Sequence, residues 1–352
     1  PLLLTGGKMA YPFYRTELVW DNDLNPEGVA QTLQWDFKSA PFIRHFAVVG
    51  FQLPFTEVAG TKTNKSIVES VVYGGQLQAI WQLKPWLKLS TYGSFYNYHN
   101  ADPIALALAR ASTSNPQTPL NGLLVLGGAS VQNSITTLTA NNVVTHTEID
   151  PNTGFPVPVV TPTGVKTITS AQFASKFALV DVIAKLDITT PYKRLPITLL
   201  GDYVQNTRAC ANLGNILKVA PPPTATTTFT LVNSVSGTDV TLVTPTVCDP
   251  RERRGYWLEG RFGRLAEHGD FQFAYTRMLI EREAVMGAFN FSDMRQNSNV
   301  TQHRVELFYQ AHRNVQLEFT GLFGRPLNWN KPGGTPPEHL LKRLQFDVIY
   351  KF

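Results

Sequence analysis

The last ten residues of the chain alternate between an apolar and a polar face. The apolar side chains recur at every second position, at Leu344, Phe346, Val348, Tyr350 and Phe352. The positions between them carry Arg343, Gln345, Asp347 and Lys351, and Ile349 is an exception. A period of two residues predicts a β-strand with one apolar and one polar face, because successive side chains of a strand point to opposite sides.

Segments with the same alternation recur along the whole chain. Besides the C-terminal segment, they lie near residues 1–5, 29–37, 46–55, 77–83, 87–95, 180–188, 195–203, 256–262, 271–283, 305–312 and 315–323. The segment at 271–283 is less regular because Arg277 interrupts its apolar face, and a β-bulge is predicted there. The chain is therefore predicted to be all-β, with about twelve antiparallel strands.

The connections between these segments alternate in length. Short connections lie at residues 38–44, 84–85, 189–194, 266–270 and 313–314. Long connections lie at residues 8–28, 56–70, 100–175, 208–253, 286–299 and 326–340. Transmembrane β-barrels sort their connections in this way, with short periplasmic turns and long outer loops. The pattern predicts one antiparallel transmembrane β-barrel domain, residues 1–352, in a bacterial outer membrane.

The two longest loops, near 100–175 and 208–253, are rich in Thr, Asn, Val, Pro and Gly. Structureless loops of this length are uncommon. We therefore expect them to carry local β-structure, or to fold inward or across the mouth of the barrel.

Composition agrees with a barrel and excludes a helical membrane protein. Hydrophobic residues make up 43% of the chain, and the mean hydropathy is −0.11. No apolar run approaches the roughly 18 residues that a membrane helix needs, whereas barrel strands keep a moderate hydropathy because only alternate residues face lipid. The net charge is +5, but the basic residues are scattered, so no nucleic-acid partner is expected.

Aromatic residues cluster near the short turns and the C-terminus. They are Trp35, Phe37, Trp81, Trp86, Phe271, Phe273, Tyr350 and Phe352. Trp and Tyr prefer the membrane–water interface, so a periplasmic aromatic girdle is predicted; the alternative is the core of a soluble sheet. The residues Phe346, Val348, Tyr350 and Phe352 resemble the C-terminal signal of outer-membrane barrels. Outer-membrane lipid and the barrel-assembly machinery are therefore the expected partners.

The polar faces of the predicted strands carry charges of both signs. The candidate pore-lining residues are Lys88, Asp181, Lys185, Asp187, Asp202, Glu259, Arg261, Arg304, Glu306, Arg343 and Asp347. Such side chains are costly against lipid and belong around water. A hydrated lumen with weak ion preference is predicted, and the longest loop, 100–175, is the expected constriction.

No catalytic motif accompanies these charges. The chain contains no HExxH, CxxC, P-loop or GxSxG pattern, and its seven histidines are dispersed. An enzyme is therefore not expected. The residues Asp21, Asp23, Asn25 and Glu27 place oxygen ligands at alternate positions, as a Ca²⁺ site does. The same residue types also favour turns, so both interpretations stand, and no other cofactor is expected.

The two cysteines, Cys210 and Cys248, both lie in one predicted outer loop. An even pair in an exported chain favours a disulfide, and two free thiols are the alternative. The chain-entropy model assigns such a loop closure roughly 4 kcal/mol. The bond would restrain the base of the loop and not the barrel.

The N-terminal region carries a resemblance to a known family. Its features are Gly6, Gly7, Lys8 and Met9, then Pro12 and Phe13, then the run from Glu17 to Gly28. The pattern resembles the signature of putative porins, exported barrels of Gram-negative-type bacteria. In that family further strands precede the motif, which implies a barrel of up to about sixteen strands if N-terminal strands are missing.

The resemblance implies an outer-membrane porin through which small hydrophilic solutes or ions diffuse passively. It supplies no catalytic residues. The alternative from a different class is a structural or adhesive outer-membrane barrel whose lumen is occluded by loops. Homo-oligomerisation is compatible with both.

Overall fold

The computed structural model describes residues 1–56, 70–111, 133–149, 156–213, 230–232, 239–244, 248–294, 296–327 and 340–351. Its elements are β1 (Leu2–Lys8), β2 (Glu27–Asp36), β3 (Ile43–Thr56), β4 (Ser70–Lys84), β5 (Leu87–His99), α1 (Asp102–Ala111), β6 (Ile135–Ile149), β7 (Pro156–Phe173), β8 (Phe177–Ile188), β9 (Ile197–Asn206), β10 (Thr230–Val232), β11 (Asp239–Thr244), β12 (Arg254–Gly263), β13 (Phe271–Ile280), β14 (Val300–His312), β15 (Val315–Pro326) and β16 (Leu341–Tyr350). The predicted all-β fold is confirmed.

Twelve of the strands form one antiparallel sheet. Their order is β1-β2-β3-β4-β5-β8-β9-β12-β13-β14-β15-β16, so each strand pairs with the next sheet strand along the chain. Within the described residues, β1 pairs only with β2 and β16 only with β15, and the sheet is not closed between these two strands.

The connections are sorted by length between the two ends of this sheet. Short turns at residues 37–42, 85–86, 189–196, 264–270 and 313–314 lie at one end. The longer connections at 9–26, 57–69, 100–176, 207–253, 281–299 and 327–340 lie at the other, which we call the outer end. The predicted alternation of short and long connections is therefore confirmed.

The two longest connections contribute a second, smaller sheet. Its four strands have the order β10-β11-β6-β7, so residues from both loops pair with each other. Helix α1 packs against β7. The expectation of local β-structure in these loops is confirmed. Among the described residues, no helix has the length and hydropathy needed to span a bilayer.

The large sheet is apolar on its outward face and polar on its inward face. Outward residues such as Val182, Leu258 and Phe346 are 51%, 52% and 64% exposed. Inward residues such as Gln76 and Asp181 are buried. An extended apolar surface of this kind marks contact with lipid or another partner, so the burial pattern supports a sheet that faces lipid outward.

The bulge predicted at Arg277 is wrong. Strand β13 keeps a continuous register with both β12 and β14 through this residue. Arg277 keeps its place on the outward face, opposite His303 of β14. A register shift does occur in β14, but between Gln310 and His312, next to a short turn.

Placing a charge on the outward face tests this orientation. Leu258 lies near the middle of β12, and Leu258→Arg should lower the unfolding free energy in lipid vesicles by about 2–4 kcal/mol, because the guanidinium would face hydrocarbon. Urea unfolding followed by tryptophan fluorescence measures this loss. Leu258→Ala is the matched control, since it shortens the side chain without adding charge. Equal losses in the two variants would contradict a lipid-facing Leu258.

Candidate pore

All of the predicted pore-lining residues lie on the inward face of the large sheet. Paired residues of neighbouring strands share a face, and the pairs Lys88–Asp187, Lys185–Leu200 and Glu306–Thr320 belong to the inward set. The same alternation places the remaining predicted residues inward: Asp181, Asp202, Glu259, Arg261, Arg304, Arg343 and Asp347.

Two connections from the outer end fold into the space that these residues surround. They are residues 9–26 and residues 281–299, and we call the described part of both the plug. Main-chain bonds join them: the Asp21 amide donates to the Phe289 carbonyl at 2.7 Å, and the Phe291 amide donates to the Glu17 carbonyl at 3.0 Å. The Ser292 amide also donates to the Asp21 carboxylate at 2.7 Å. The plug is therefore one hydrogen-bonded unit.

Aromatic packing anchors the plug in the outer half of the interior. Phe13 lies against Phe51 of β3, with ring centroids 4.4 Å apart. Trp20 stacks on Tyr98 of β5 at 6.0 Å. All four side chains are buried, so aromatic packing holds the plug against β3 and β5.

Polar contacts attach the part of the plug nearest the short turns to the wall of the sheet. The Tyr14 amide donates to Gln76 Oε1 at 2.9 Å, and Gln76 Nε2 donates to the Tyr14 carbonyl at 2.6 Å. The Tyr14 ring stacks on Tyr92 at 4.2 Å. Burial raises the pKa of Tyr14 to about 12. On the opposite wall, the Thr16 hydroxyl donates to the buried carboxylate of Asp202.

Arg304 is the ionic link between the plug and the barrel wall. Its Nη1 lies 2.6 Å from Glu17 Oε2 of the plug, its Nε 3.1 Å from Glu306 and its Nη2 3.6 Å from Glu259. The guanidinium also lies over the Trp257 ring, 4.7 Å from its centroid. Burial raises the pKa of Glu17, and the charge of Arg304 opposes that shift. One guanidinium thus lies within 4 Å of carboxylates from two wall strands and the plug.

A polar cavity of about 610 Å³ lies between the plug and the wall. Its charged lining residues are Arg15, Glu17, Lys185, Glu259, Arg261, Asp293, Arg304, Glu306 and Glu318. Arg261 pairs with Glu259, and Lys185 lies 3.4 Å from Asp187 of the same strand, β8. Of the predicted lining residues, Lys185, Glu259, Arg261, Arg304 and Glu306 line this cavity. Asp181 and Asp202 are buried outside it, and Lys88, Asp187, Arg343 and Asp347 face inward elsewhere on the sheet.

The longest loop contacts the plug at the outer ends of β8, β9 and β13. Glu283 accepts a hydrogen bond from the Ser134 amide at 2.9 Å and another from the Ser175 hydroxyl at 2.6 Å. Burial raises the pKa of Glu283, and these hydrogen bonds oppose the shift. Asn133 Nδ2 donates to the Arg282 carbonyl at 2.7 Å. The described residues of this loop therefore pack over the plug, and residues 112–132 of the predicted constriction lie outside the described residues.

The other predicted site residues have separate locations. Cys210 and Cys248 form a disulfide. Phe346, Val348 and Tyr350 face outward and are exposed, and Phe352 lies outside the described residues. Arg343 reaches the plug through an ion pair with Asp293 at 2.8 Å.

The candidate calcium ligands do not form a cluster. Asp21 is buried, and its carboxylate accepts hydrogen bonds from the Ser292 and Asp23 amides. Asp23 and Asn25 are exposed, and Glu27 is the first residue of β2. No group of three or more His, Cys, Asp or Glu residues suited to a metal occurs in the described part of the chain. Calcium binding stays an untested prediction.

The plug residues Tyr14, Arg15, Thr16 and Glu17 were not predicted to enter the lumen. The available signal was the apolar content of a predicted outer loop, with Met9, Phe13 and the run Leu18, Val19 and Trp20. Apolar side chains in an exposed outer loop would have no partner, so such a run indicates that the loop folds onto a core.

The fold and the cavity define a class of protein: an antiparallel barrel sheet with an apolar exterior and a hydrated, charged interior. Residues 1–304 match a family model described as "Putative porin". The chain therefore belongs to this family of membrane-embedded barrels. No curated protein matches the chain.

Two substitutions should separate the roles of Arg304 and Glu17. Arg304→Met removes the guanidinium beside Glu17 and Glu306, while Glu259 keeps Arg261, and should lower the unfolding free energy by about 3–5 kcal/mol. Glu17→Gln leaves Arg304 paired with Glu259 and Glu306 and should cost about 1–2 kcal/mol. Urea unfolding measures both losses. Trypsin cleavage after Arg15 reports release of the plug and should accelerate more in Arg304→Met; the opposite order would contradict Arg304 as the link.

The raised pKa of Glu283 generates a pH prediction. The folded state binds this proton more tightly than the unfolded state, so the unfolding free energy should rise as pH falls from neutrality through the raised pKa, and level off below the ordinary value of 4.5. Glu283→Gln keeps an acceptor for the Ser134 amide and should remove part of this pH dependence. Thermal unfolding between pH 7 and pH 4 measures it. An unchanged pH slope in the variant would disprove the assignment.

Proposed function

We propose that the chain is a porin of a bacterial outer membrane, through which small hydrophilic solutes or ions diffuse passively. The cavity between the plug and the charged wall is the observation that carries this proposal. Water-filled space lined by ionised side chains inside an apolar exterior is the architecture of a barrel that conducts. The proposal requires neither a catalytic residue nor a cofactor.

The lining charges suggest weak ion preference. Cationic Arg15, Lys185, Arg261 and Arg304 share the cavity with anionic Glu17, Glu259, Asp293, Glu306 and Glu318. Pairs such as Arg261–Glu259 cancel much of each other's field. A slight preference for cations is the expected balance, because carboxylates outnumber basic groups among these residues. A reversal potential measured in a salt gradient tests it.

A second candidate function has one observation in its favour. The plug packs the outer half of the interior with buried aromatic side chains, including Phe13 and Trp20. A barrel filled in this way throughout would be a structural or adhesive surface protein. The two candidates differ in one measurable property, the passage of ions.

Single-channel recording in a planar bilayer tests the porin proposal. The intact protein should conduct, and replacing residues 12–22 with a flexible Gly-Ser linker should raise the conductance several-fold, because this segment occupies the lumen. Deleting residues 113–131 is the comparison variant, because the longest loop is the other candidate for the constriction.

Two outcomes of the conductance measurement would contradict the proposed role of the plug or of the pore. A large increase in conductance on deleting residues 113–131 would indicate that the longest loop forms the constriction. An absence of conductance in both the intact and the linker-substituted protein would favour the structural or adhesive barrel.

A further inference from the structure

Basic residues occupy the outward face of the C-terminal strands at their outer ends. Arg277 of β13 pairs in register with His303 of β14, and His303 pairs with Phe323 of β15. Phe323 in turn pairs with Lys342 of β16. Arg325 lies two residues beyond Phe323 on the same face. We call Arg277, His303, Arg325 and Lys342 the basic rim.

The basic rim has no counter-charge among the described residues. No carboxylate there lies within 4.0 Å of the charged groups of Arg277, Arg325 or Lys342. Arg277 Nη1 donates to His303 Nε2, and His303 Nδ1 lies 2.6 Å from the Tyr275 hydroxyl. These contacts hold the Arg277 side chain in place without neutralising it. Uncompensated cations on a face that is otherwise apolar call for an anionic partner.

The depth of Arg325 and Lys342 matches the headgroup level of a bilayer. At roughly 3.3 Å per residue and a strand tilt of roughly 40°, the rise from Val315 to Arg325 is about 25 Å and that from Tyr350 to Lys342 about 20 Å. The outward apolar band of such barrels is about 25 Å tall. By the same rise, Arg277 lies about 15 Å from Phe271, so its main chain is within the apolar band and its long side chain extends toward the headgroups on the side of the long loops.

Outward basic residues without a neighbouring carboxylate are concentrated on β13 to β16 among the described strands. The corresponding outward positions near the outer ends of β3, β5 and β9 carry the neutral residues Gln52, Asn97 and Gln205. Two further basic residues lie on the outward face at this end, but each has an acidic neighbour: Lys8 of β1 pairs in register with Glu27, and the Arg254 amide of β12 donates to the Glu281 carboxylate. The asymmetry therefore does not follow from a general need for polar residues at the interface. A symmetric contact between two copies would bring like charges together, which disfavours a second chain as the partner.

We propose that the basic rim binds the phosphate-bearing headgroup of an anionic lipid in the leaflet on the long-loop side. The guanidinium of Arg277 and that of Arg325 would each offer a planar pair of donors to phosphate oxygens, and Lys342 would add a point charge. This inference rests on residence in a membrane and not on conduction, so conductance can fail while the lipid site stands.

Binding of defined lipids to the full chain tests the proposal. The protein in neutral detergent is mixed with dioleoyl phosphatidic acid or dioleoyl phosphatidylcholine at equal concentration, and bound lipid is counted by native mass spectrometry. Each basic residue near an anionic lipid strengthens binding about fivefold, so wild-type protein should prefer phosphatidic acid by about tenfold or more. The triple variant Arg277→Gln, Arg325→Gln, Lys342→Gln should lose this preference.

A matched variant removes the same charge from the opposite end of the sheet. Lys84→Gln, Lys193→Gln and Arg313→Gln change exposed residues in or beside the short turns and should retain the preference. Circular dichroism confirms that each variant has folded.

Three outcomes would overturn the lipid site. Equal loss in both triple variants would indicate net charge alone. Displacement of phosphatidic acid by glycerol phosphate at the same concentration would indicate a site for soluble phosphate. A dimer of the wild-type protein in neutral detergent that only the rim variant loses would indicate a subunit interface.

Discussion

A strand in contact with lipid must pair its main-chain groups with other strands, because hydrocarbon offers them no partner. Within the described residues, the large sheet meets this constraint by continuous antiparallel pairing of neighbouring strands from β1 to β16, with one free edge on each of these two strands. Once the main chain is paired in this way, alternate side chains are forced to opposite faces. One face must be apolar to suit lipid, and the other is free to carry charge. The interior chemistry of this protein follows from that division.

The charged interior creates a second constraint, which Arg304 resolves. Glu17, Glu259 and Glu306 converge within 4 Å of one guanidinium. Taking several carboxylates out of bulk water is costly unless a cation compensates them. Because Glu17 comes from the plug, its ion pair with Arg304 joins the plug to the wall. Electrostatic balance and the width of the lumen thus depend on the same side chains.

The interior is divided along its length into two environments. Toward the outer end, Phe13, Trp20, Tyr96 and Tyr98 are buried between the plug and the wall. Closer to the short turns lies the polar cavity, which charged side chains line. The apolar packing gives the plug its stability, whereas the cavity gives the lumen its chemistry. Both features are needed to explain why the plug is anchored in the barrel and also borders a cavity with ionisable groups.

Much of the fold was predictable from the sequence, because the period of a strand is local. Alternation along segments such as 344–352, together with the sorted connection lengths, determined the all-β class, the faces of the strands and the inward position of Lys185, Glu259 and Arg304. The incorrect prediction of a bulge at Arg277 has a physical cause. In the sequence, a basic residue on the lipid-facing side looks like an interruption of the alternation, because the sequence does not show its depth in the membrane. Its place beside His303 near the interface makes a regular strand tolerable.

Only the tertiary structure showed that residues 9–26 enter the space inside the sheet. Loop length favoured residues 100–175 as the constriction, and that prediction stays untested because residues 112–132 and 150–155 lie outside the described residues. The decisive pair, Glu17 and Arg304, is separated by 287 positions, and Thr16 and Asp202 by 186. No local pattern specifies such partners, because their meeting depends on how the sheet curves and on which side chains fill the space inside it. The sequence by itself determined a polar interior, and three-dimensional packing decided what occupies it.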